Sequence, residues 1–127
     1  MDNSANVVRI GLVDDDPSVR RAISRLLRSR GYECVTYESA ESALADPELL
    51  WLNCAVLDLE LPGINGFELR NHLRDLVPPI PYLFVTAHAE SDFLDWDAQM
   101  GDSLYLRKPV EEDQLLSSIE KLICRAA

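Results

Sequence analysis

With 127 residues, 47% apolar and 27% charged, the chain has the length and mixture of one globular domain, expected to span residues 1–127 with no linker, repeat or low-complexity tract. Its 12 basic and 22 acidic residues leave a formal charge of -10, which opposes direct attraction to nucleic-acid phosphates or anionic lipid. No stretch nears the roughly 20 apolar residues of a membrane span, and Met1-Asp2-Asn3-Ser4 lacks the basic start of a signal peptide, so a cytoplasmic protein is expected.

Val7 to Val13 is an apolar run that ends in Asp14-Asp15-Asp16-Pro17, where the hydrophobic period changes from that of a strand to that of a helix. Val19, Ala22, Ile23, Leu26 and Leu27 then mark the buried stripe of a first helix, with Pro17 in its first turn and Gly31 at its stop. The opposite face carries Arg20, Arg21, Arg25 and Arg28, which in an acidic protein is either a solvated face or a docking surface for an acidic partner. Cys34 to Tyr37 reads as a second strand, and Ser39 with Ser42 opens a weaker helix running toward Leu50.

Cys54-Ala-Val-Leu-Asp58 is a third strand, apolar until it delivers an acid at its carboxyl end, before the turn-forming Pro62 to Gly66. Phe67, Leu69, Leu73 and Leu76 mark a third helix closed by Pro78-Pro79, and Tyr82 to Val85 is a fourth strand ending on Thr86-Ala87-His88. A fourth helix is expected over Glu90–Met100, with Phe93, Trp96 and Met100 on one face. Leu104-Tyr105-Leu106 forms a fifth strand before Lys108-Pro109, and Leu115, Leu116, Ile119, Leu122 and Ile123 a last amphipathic helix. Cys34, Cys54 and Cys124 show neither disulfide nor zinc spacing and read as small buried hydrophobes.

Five alternating strand-helix pairs predict an α/β, flavodoxin-like doubly wound (βα)5 sandwich with a five-stranded parallel sheet in the order 2-1-3-4-5. Its switch point falls between strands 1 and 3, beside Asp14, Asp15 and Asp58. Singly, each polar strand end has a plain explanation: Asp15 or Asp16 caps a helix, and Asp58 or Thr86 satisfies a loop amide. Together, four of the five strands bring Asp14 and Asp15, Asp58, Thr86 and Lys108 to one edge. Two like charges about 4 Å apart repel by ~4 kcal/mol at an effective dielectric of 20, so the acids require cationic compensation. Lys108 supplies one charge, and a hard divalent ion that takes oxygen ligands, Mg2+ above all, would supply the rest. Acids, hydroxyl, amine and metal together suit phosphoryl transfer.

The Val13-Asp14-Asp15-Asp16 turn, the Leu57-Asp58-Leu59-Glu60-Leu61-Pro62-Gly63-Ile64-Asn65-Gly66 run, Val85-Thr86-Ala87 and Lys108-Pro109 resemble the receiver domain of two-component response regulators. The likeness covers almost the whole chain, and the first half, through Gly31-Tyr32 to Glu38-Ser-Ala-Glu-Ser-Ala43, is most similar to receivers of the FixJ and NodW type. The resemblance implies that Asp58 accepts a phosphoryl group from the phosphohistidine of a histidine kinase or histidine phosphotransfer protein. It further implies that Asp15, Asp58 and the Glu60 backbone carbonyl ligate Mg2+, with Asp14 acting through water, and that Thr86 and Lys108 bind phosphoryl oxygens. Tyr105 matches the family's switch aromatic, coupling Thr86 to the face made by helix 4, strand 5 and helix 5, which is also where a homodimer would form. The Lys108-Pro109 bond is expected to be cis.

Glu60 and His88 stand two residues after Asp58 and Thr86, where bulky ionisable groups flank the route of water to an acyl phosphate; both are expected to tune its lifetime, with His88 as an exposed loop residue the alternative reading, and Glu60 is expected to pair with Lys108 before phosphorylation. Arg21 and Arg25 are the candidate partner-docking residues. Asp92, Asp95, Trp96, Asp97 and Asp102 depart from the FixJ-type segment and imply a different output partner or dimer, with Trp96 read as either a packing residue or a protruding anchor. Two other readings stand beside this one: a small aspartyl-phosphate hydrolase of the haloacid dehalogenase class, for which Glu60 would be the general acid, and a pseudo-receiver that signals without phosphate. The receiver reading implies no turnover of a separate substrate, no membrane contact and no direct contact with nucleic acid.

Overall fold

In the computed structural model, which describes residues 7–76, 78–87 and 104–126, the apolar Cys54–Asp58 run is buried at every position and occupies the middle of the sheet. The strands are β1 (Arg9–Val13), β2 (Glu33–Tyr37), β3 (Cys54–Asp58), β4 (Tyr82–Thr86) and β5 (Leu104–Arg107), all parallel in the order β2-β1-β3-β4-β5. Helices α1 (Pro17–Ser29), α2 (Ala40–Ala45), α3 (Gly66–Arg74) and α4 (Glu112–Ala126) cover the two faces. The flavodoxin-like doubly wound architecture and its strand order are those the sequence pattern predicts. His88, the Glu90–Met100 segment with Trp96, and Asp102 lie outside the described residues. Among the described residues no helix is long and apolar enough to cross a membrane.

Alternation along each strand divides the core in two. Ile10 and Leu12 of β1, Cys54 and Val56 of β3, and Leu83 and Val85 of β4 pack with Ile23 and Leu27 of α1 and Leu115 and Ile119 of α4. Val13, Ala55, Leu57 and Phe84 point the other way, onto Ala40, Leu69 and Leu73 of α2 and α3. Phe84 is fully buried, edge-on to Phe67 with centroids 5.2 Å apart, and the buried Arg70 guanidinium stands 5.5 Å from the Phe67 ring centre. Burying an aromatic of this kind contributes about 1.5–3 kcal/mol.

Helix starts follow their capping chemistry. The Asp16 carboxylate accepts from Ser18 N at 2.8 Å with Pro17 in the first turn of α1, and Asn65 and Glu68 form a reciprocal capping box on α3. The second helix is shorter than predicted: α2 stops at Ala45, and Pro47–Trp51 forms a separate 3-10 turn. Pro47 disfavours helical backbone at the residue before it, and Asp46 accordingly sits at φ -87, ψ 115, where its side chain caps the new turn through Glu48 N at 2.9 Å. Ala22, read as core, is instead exposed on α1, and Cys124, also read as buried, is exposed on α4, because each stands beside rather than within its helix's apolar stripe.

Gly66 opens α3 directly beneath the end of β3. A Cβ at this position would lie 2.6 Å from the Asp58 carbonyl oxygen and 3.0 Å from Leu59 Cα, both backbone atoms that cannot swing aside. Gly66→Ala is therefore expected to lower stability by about 1–3 kcal/mol through overpacking, measured as a lowered urea midpoint with an unchanged slope.

Candidate functional site

The same alternation that sorts the core also places the polar strand ends. Asp14 follows β1 with its N–H donating to Tyr37 O at 3.1 Å, and Lys108 follows β5 with its N–H donating to Thr86 O at 2.7 Å, so each extends its strand by one residue. Counting by twos, Asp14 continues Ile10 and Leu12, Asp58 continues Cys54 and Val56, and Lys108 continues Leu104 and Leu106, all on the α1 and α4 side. Thr86 continues Phe84 on the opposite side.

On the first side, each buried acid divides its two oxygens between the loop and the amine. Asp14 Oδ1 accepts from Asp16 N at 2.9 Å, and Asp58 Oδ1 accepts from Glu60 N at 3.0 Å, two equivalent Asx-turns that fix the loops. Their Oδ2 atoms meet at Lys108 Nζ, 2.9 Å from Asp14 and 3.3 Å from Asp58. The Lys108-Pro109 bond is cis. Burial opposes charge on Lys108, but its hydrogen bond to Asp14 and the neighbouring carboxylates outweigh that and hold its pKa above the ordinary value.

Burial pushes the Asp58 carboxyl up to about 6, with the Glu60 amide hydrogen bond and Lys108 opposing and the charges of Asp14 and Glu60 adding to the rise. Asp15 is exposed beside them, and one carboxylate oxygen from each of Asp14, Asp15 and Asp58 lies within 4.8 Å of the others. Three hard oxygen donors and one ammonium leave two uncompensated negative charges, which fits a dication of the oxygen-loving kind.

On the other side, the Thr86 hydroxyl donates to Glu60 Oε1, and Ala87 N donates to the two Glu60 carboxylate oxygens at 3.2 and 3.4 Å. The expected Glu60–Lys108 pair is thus corrected: Lys108 is held by Asp14 and Asp58 on one side of the sheet, while Glu60 turns to the Thr86 side. Sequence reading named Glu60 but missed Ala87, whose contribution is a backbone N–H and leaves no mark on residue type. Tyr105 stands on β5 with its side chain exposed, opposite Phe84 in the β4 register.

The arginine face of α1 divides. Arg20 Nη1 donates to Asp14 O at 2.7 Å and Arg28 Nη2 to Cys34 O at 3.1 Å, whereas Arg21 and Arg25 point to solvent. On the same helix a cleft of about 510 Å³ is lined by Ser18, Val19, Ala22 and Ile23 of α1 and by Lys108, Pro109 and Val110.

The sequence profile of the response regulator receiver domain matches residues 10–120. The chain belongs to the response regulator receiver family. This receiver is 31% identical over 117 residues to the transcriptional regulatory protein FixJ of Bradyrhizobium diazoefficiens, covering 92% of this chain and 57% of that protein. It is 33% identical over 108 residues to nodulation protein W of the same organism, covering 85% of this chain and 48% of that one. The receiver thus spans about half the length of these relatives. Its fold matches a CheY-like receiver domain protein from Methanospirillum hungatei with a TM-score of 0.82 at 29% identity, over 94% of this chain and 96% of that one. A receiver protein from Burkholderia phymatum matches with a TM-score of 0.76 at 32% identity, over 92% and 95%.

Because the Asp58 pKa lies higher in the folded receiver than in the unfolded chain, ionised Asp58 penalises folding, fully above about pH 6 and not at all below about pH 4. Asp58→Asn is expected to raise stability without added metal by about 1–2 kcal/mol near pH 7, allowing for solvent screening, and the gain is expected to vanish as pH falls through that window. Urea unfolding at a series of pH values checks it.

Proposed function

We propose that the chain, as a single receiver domain over residues 1–127, accepts a phosphoryl group on Asp58 from the phosphohistidine of a histidine kinase or a histidine phosphotransfer protein. The observation that carries this reading is the meeting of a buried, amine-bridged Asp58 with Asp14 and Asp15 at the strand ends, with Thr86 one residue beyond the Asp58 partner in β4. Family membership and the FixJ and NodW relatives support it.

In the transfer, an Asp58 carboxylate oxygen forms the new P–O bond as the P–N bond of phosphohistidine breaks, and the imidazole nitrogen keeps the electron pair and takes a proton from solvent. Burial of Asp58 removes the water that would otherwise solvate the attacking carboxylate, and the Glu60 N–H fixes one of its oxygens. Lys108 is within reach of Asp58 and stabilises negative charge as it spreads over the phosphoryl oxygens, joined by the Thr86 hydroxyl. Asp15, Asp58 and the Glu60 carbonyl would hold Mg2+, with Asp14 acting through water; when bound, the ion neutralises phosphoryl charge that one ammonium cannot. Glu60 and His88 tune the adduct's lifetime.

Moving Thr86 toward the phosphoryl group frees space at the β4-β5 border and lets Tyr105 turn inward, shifting the population of the surface that includes β5 and α4. That surface is the proposed output and homodimer face, and the solvent-facing Arg21 and Arg25 of α1 are the proposed docking contacts for the phosphodonor protein.

Incubation with Mg2+ and acetyl phosphate is expected to give a labile phosphoryl adduct that is absent in Asp58→Asn. No adduct at any Mg2+ concentration would overturn the reading, and turnover of a phosphomonoester without lasting label would favour a hydrolase. A second measurement concerns docking: the double change Arg21→Glu and Arg25→Glu is expected to slow transfer from a phosphodonor protein about tenfold or more while leaving labelling by acetyl phosphate unchanged, since rim charges act mainly on association. Equal slowing of both would remove Arg21 and Arg25 from the docking role.

A further inference from the structure

Two donors at the end of β4 converge on a single anion, and that anion belongs to the chain itself. The Thr86 hydroxyl, on a fully buried residue, and the Ala87 N–H, 3.2 and 3.4 Å from the Glu60 oxygens, both give their hydrogens to the Glu60 carboxylate. Donors brought together in this way at a strand end form a small oxyanion seat for negative charge. Glu60 reaches the seat because the Asx-turn of Asp58 on Glu60 N bends the chain at the end of β3, while Leu59 N donates to Val85 O at 3.1 Å and holds the bend against β4.

The seat adjoins the proposed phosphoacceptor. Asp58 pairs in register with Val85, so Thr86 and Ala87 follow directly beyond it. A phosphoryl group on Asp58 would present its oxygens to the donors that Glu60 now holds, and two anions cannot share one hydroxyl hydrogen and one amide hydrogen. Resting on the phosphoacceptor reading of Asp58, we propose that Glu60 is a built-in competitor for the phosphoryl seat. Its carboxylate holds Thr86 and Ala87 in the unphosphorylated protein and must swing out before they can bind a phosphoryl oxygen.

Glu60 is therefore a positioning residue that sets how readily Asp58 is loaded, and its departure releases the Thr86 hydroxyl. The lost contacts are charge-assisted hydrogen bonds, each strong enough to matter by a factor of ten or more, and an incoming anion restores a strength that water does not. The backbone carbonyl of Glu60, which has a different proposed task, survives any side-chain replacement.

The test uses the whole chain with Glu60→Ala and Glu60→Gln, each first shown to be folded by its amide spectrum. In the metal-free, unphosphorylated protein, hydrogen exchange at Ala87 N–H is followed by NMR. Ala87 is exposed, so its protection is expected to come from Glu60 and to fall about tenfold in Glu60→Ala, with Glu60→Gln between because its amide oxygen still accepts. Adduct formation from acetyl phosphate is expected to quicken about tenfold in Glu60→Ala and by an intermediate factor in Glu60→Gln.

Unchanged Ala87 exchange in Glu60→Ala would overturn the competitor, as would a wild-type protein that is labelled as fast as Glu60→Ala. Equal acceleration in Glu60→Ala and Glu60→Gln would also overturn it, since that pattern reports bulk charge rather than a held seat. Absence of any adduct in all three proteins, with the exchange result intact, would instead strike at the phosphoacceptor reading and take the proposal down with it.

Discussion

The rest of the carboxyl edge depends on one ammonium group. Lys108 Nζ touches carboxylate oxygens of both Asp14 and Asp58, two acids that are almost wholly withdrawn from water. Without it, the mutual repulsion of these acids, ~4 kcal/mol per pair at about 4 Å and an effective dielectric of 20, would fall on the β1–β3 border at the centre of the sheet. The cation is delivered by backbone pairing, since Lys108 N donates to Thr86 O and carries the β4-β5 ladder one step past the strand. Sheet register and charge balance are thus one constraint.

That constraint leaves the edge two-sided. On the α1 and α4 side, acids meet an amine, and the remaining negative charge suits a dication. On the α2 and α3 side, the Thr86 hydroxyl and the Ala87 amide meet a carboxylate. The turn after β3 joins the sides, because Asp58 accepts from the amide of Glu60, the residue whose side chain crosses to Thr86. Gly66 allows α3 to begin close under this turn, and Glu41 of α2 steadies its far end by accepting from Ile64 N at 3.4 Å. Asp58 is therefore linked to Thr86 through two residues of backbone and the Glu60–Thr86 hydrogen bond, and Thr86 through the β4-β5 ladder to the strand that bears Tyr105.

The surface of α1 follows a similar division of labour. Arg20 and Arg28 spend their guanidinium groups on backbone carbonyls, Arg20 on that of Asp14 itself, and so help to seat the first acidic loop and the α1-β2 packing. Arg21 and Arg25 remain outward on the same helix that lines the cleft with Lys108 and Pro109. A row of four like residues in the sequence is two structural contacts and two solvent-facing charges in the fold.

Much of this was legible in residue order. Apolar runs of strand length, separated by helical stripes and stopped by Pro and Gly, determine a parallel α/β sandwich, because only such a sheet buries both faces of Cys54–Asp58. The same runs end on Asp14, Asp58, Thr86 and Lys108, which places these groups at one edge of the sheet; that Thr86 faces away from the other three follows only from the register of the folded strands. Tertiary structure decided what the pattern could not carry. Whether Glu60 would turn to Lys108 or to Thr86 depended on the Asx-turn after β3 and on a backbone amide at Ala87, neither visible as residue type. The end of α2 at Ala45 turned on how strongly Pro47 acts against a weak apolar stripe, and the different fates of four arginines on which backbone carbonyls the packed sheet left in reach. Periodicity is a property of the chain, but partners for long polar side chains exist only once distant segments have been brought together.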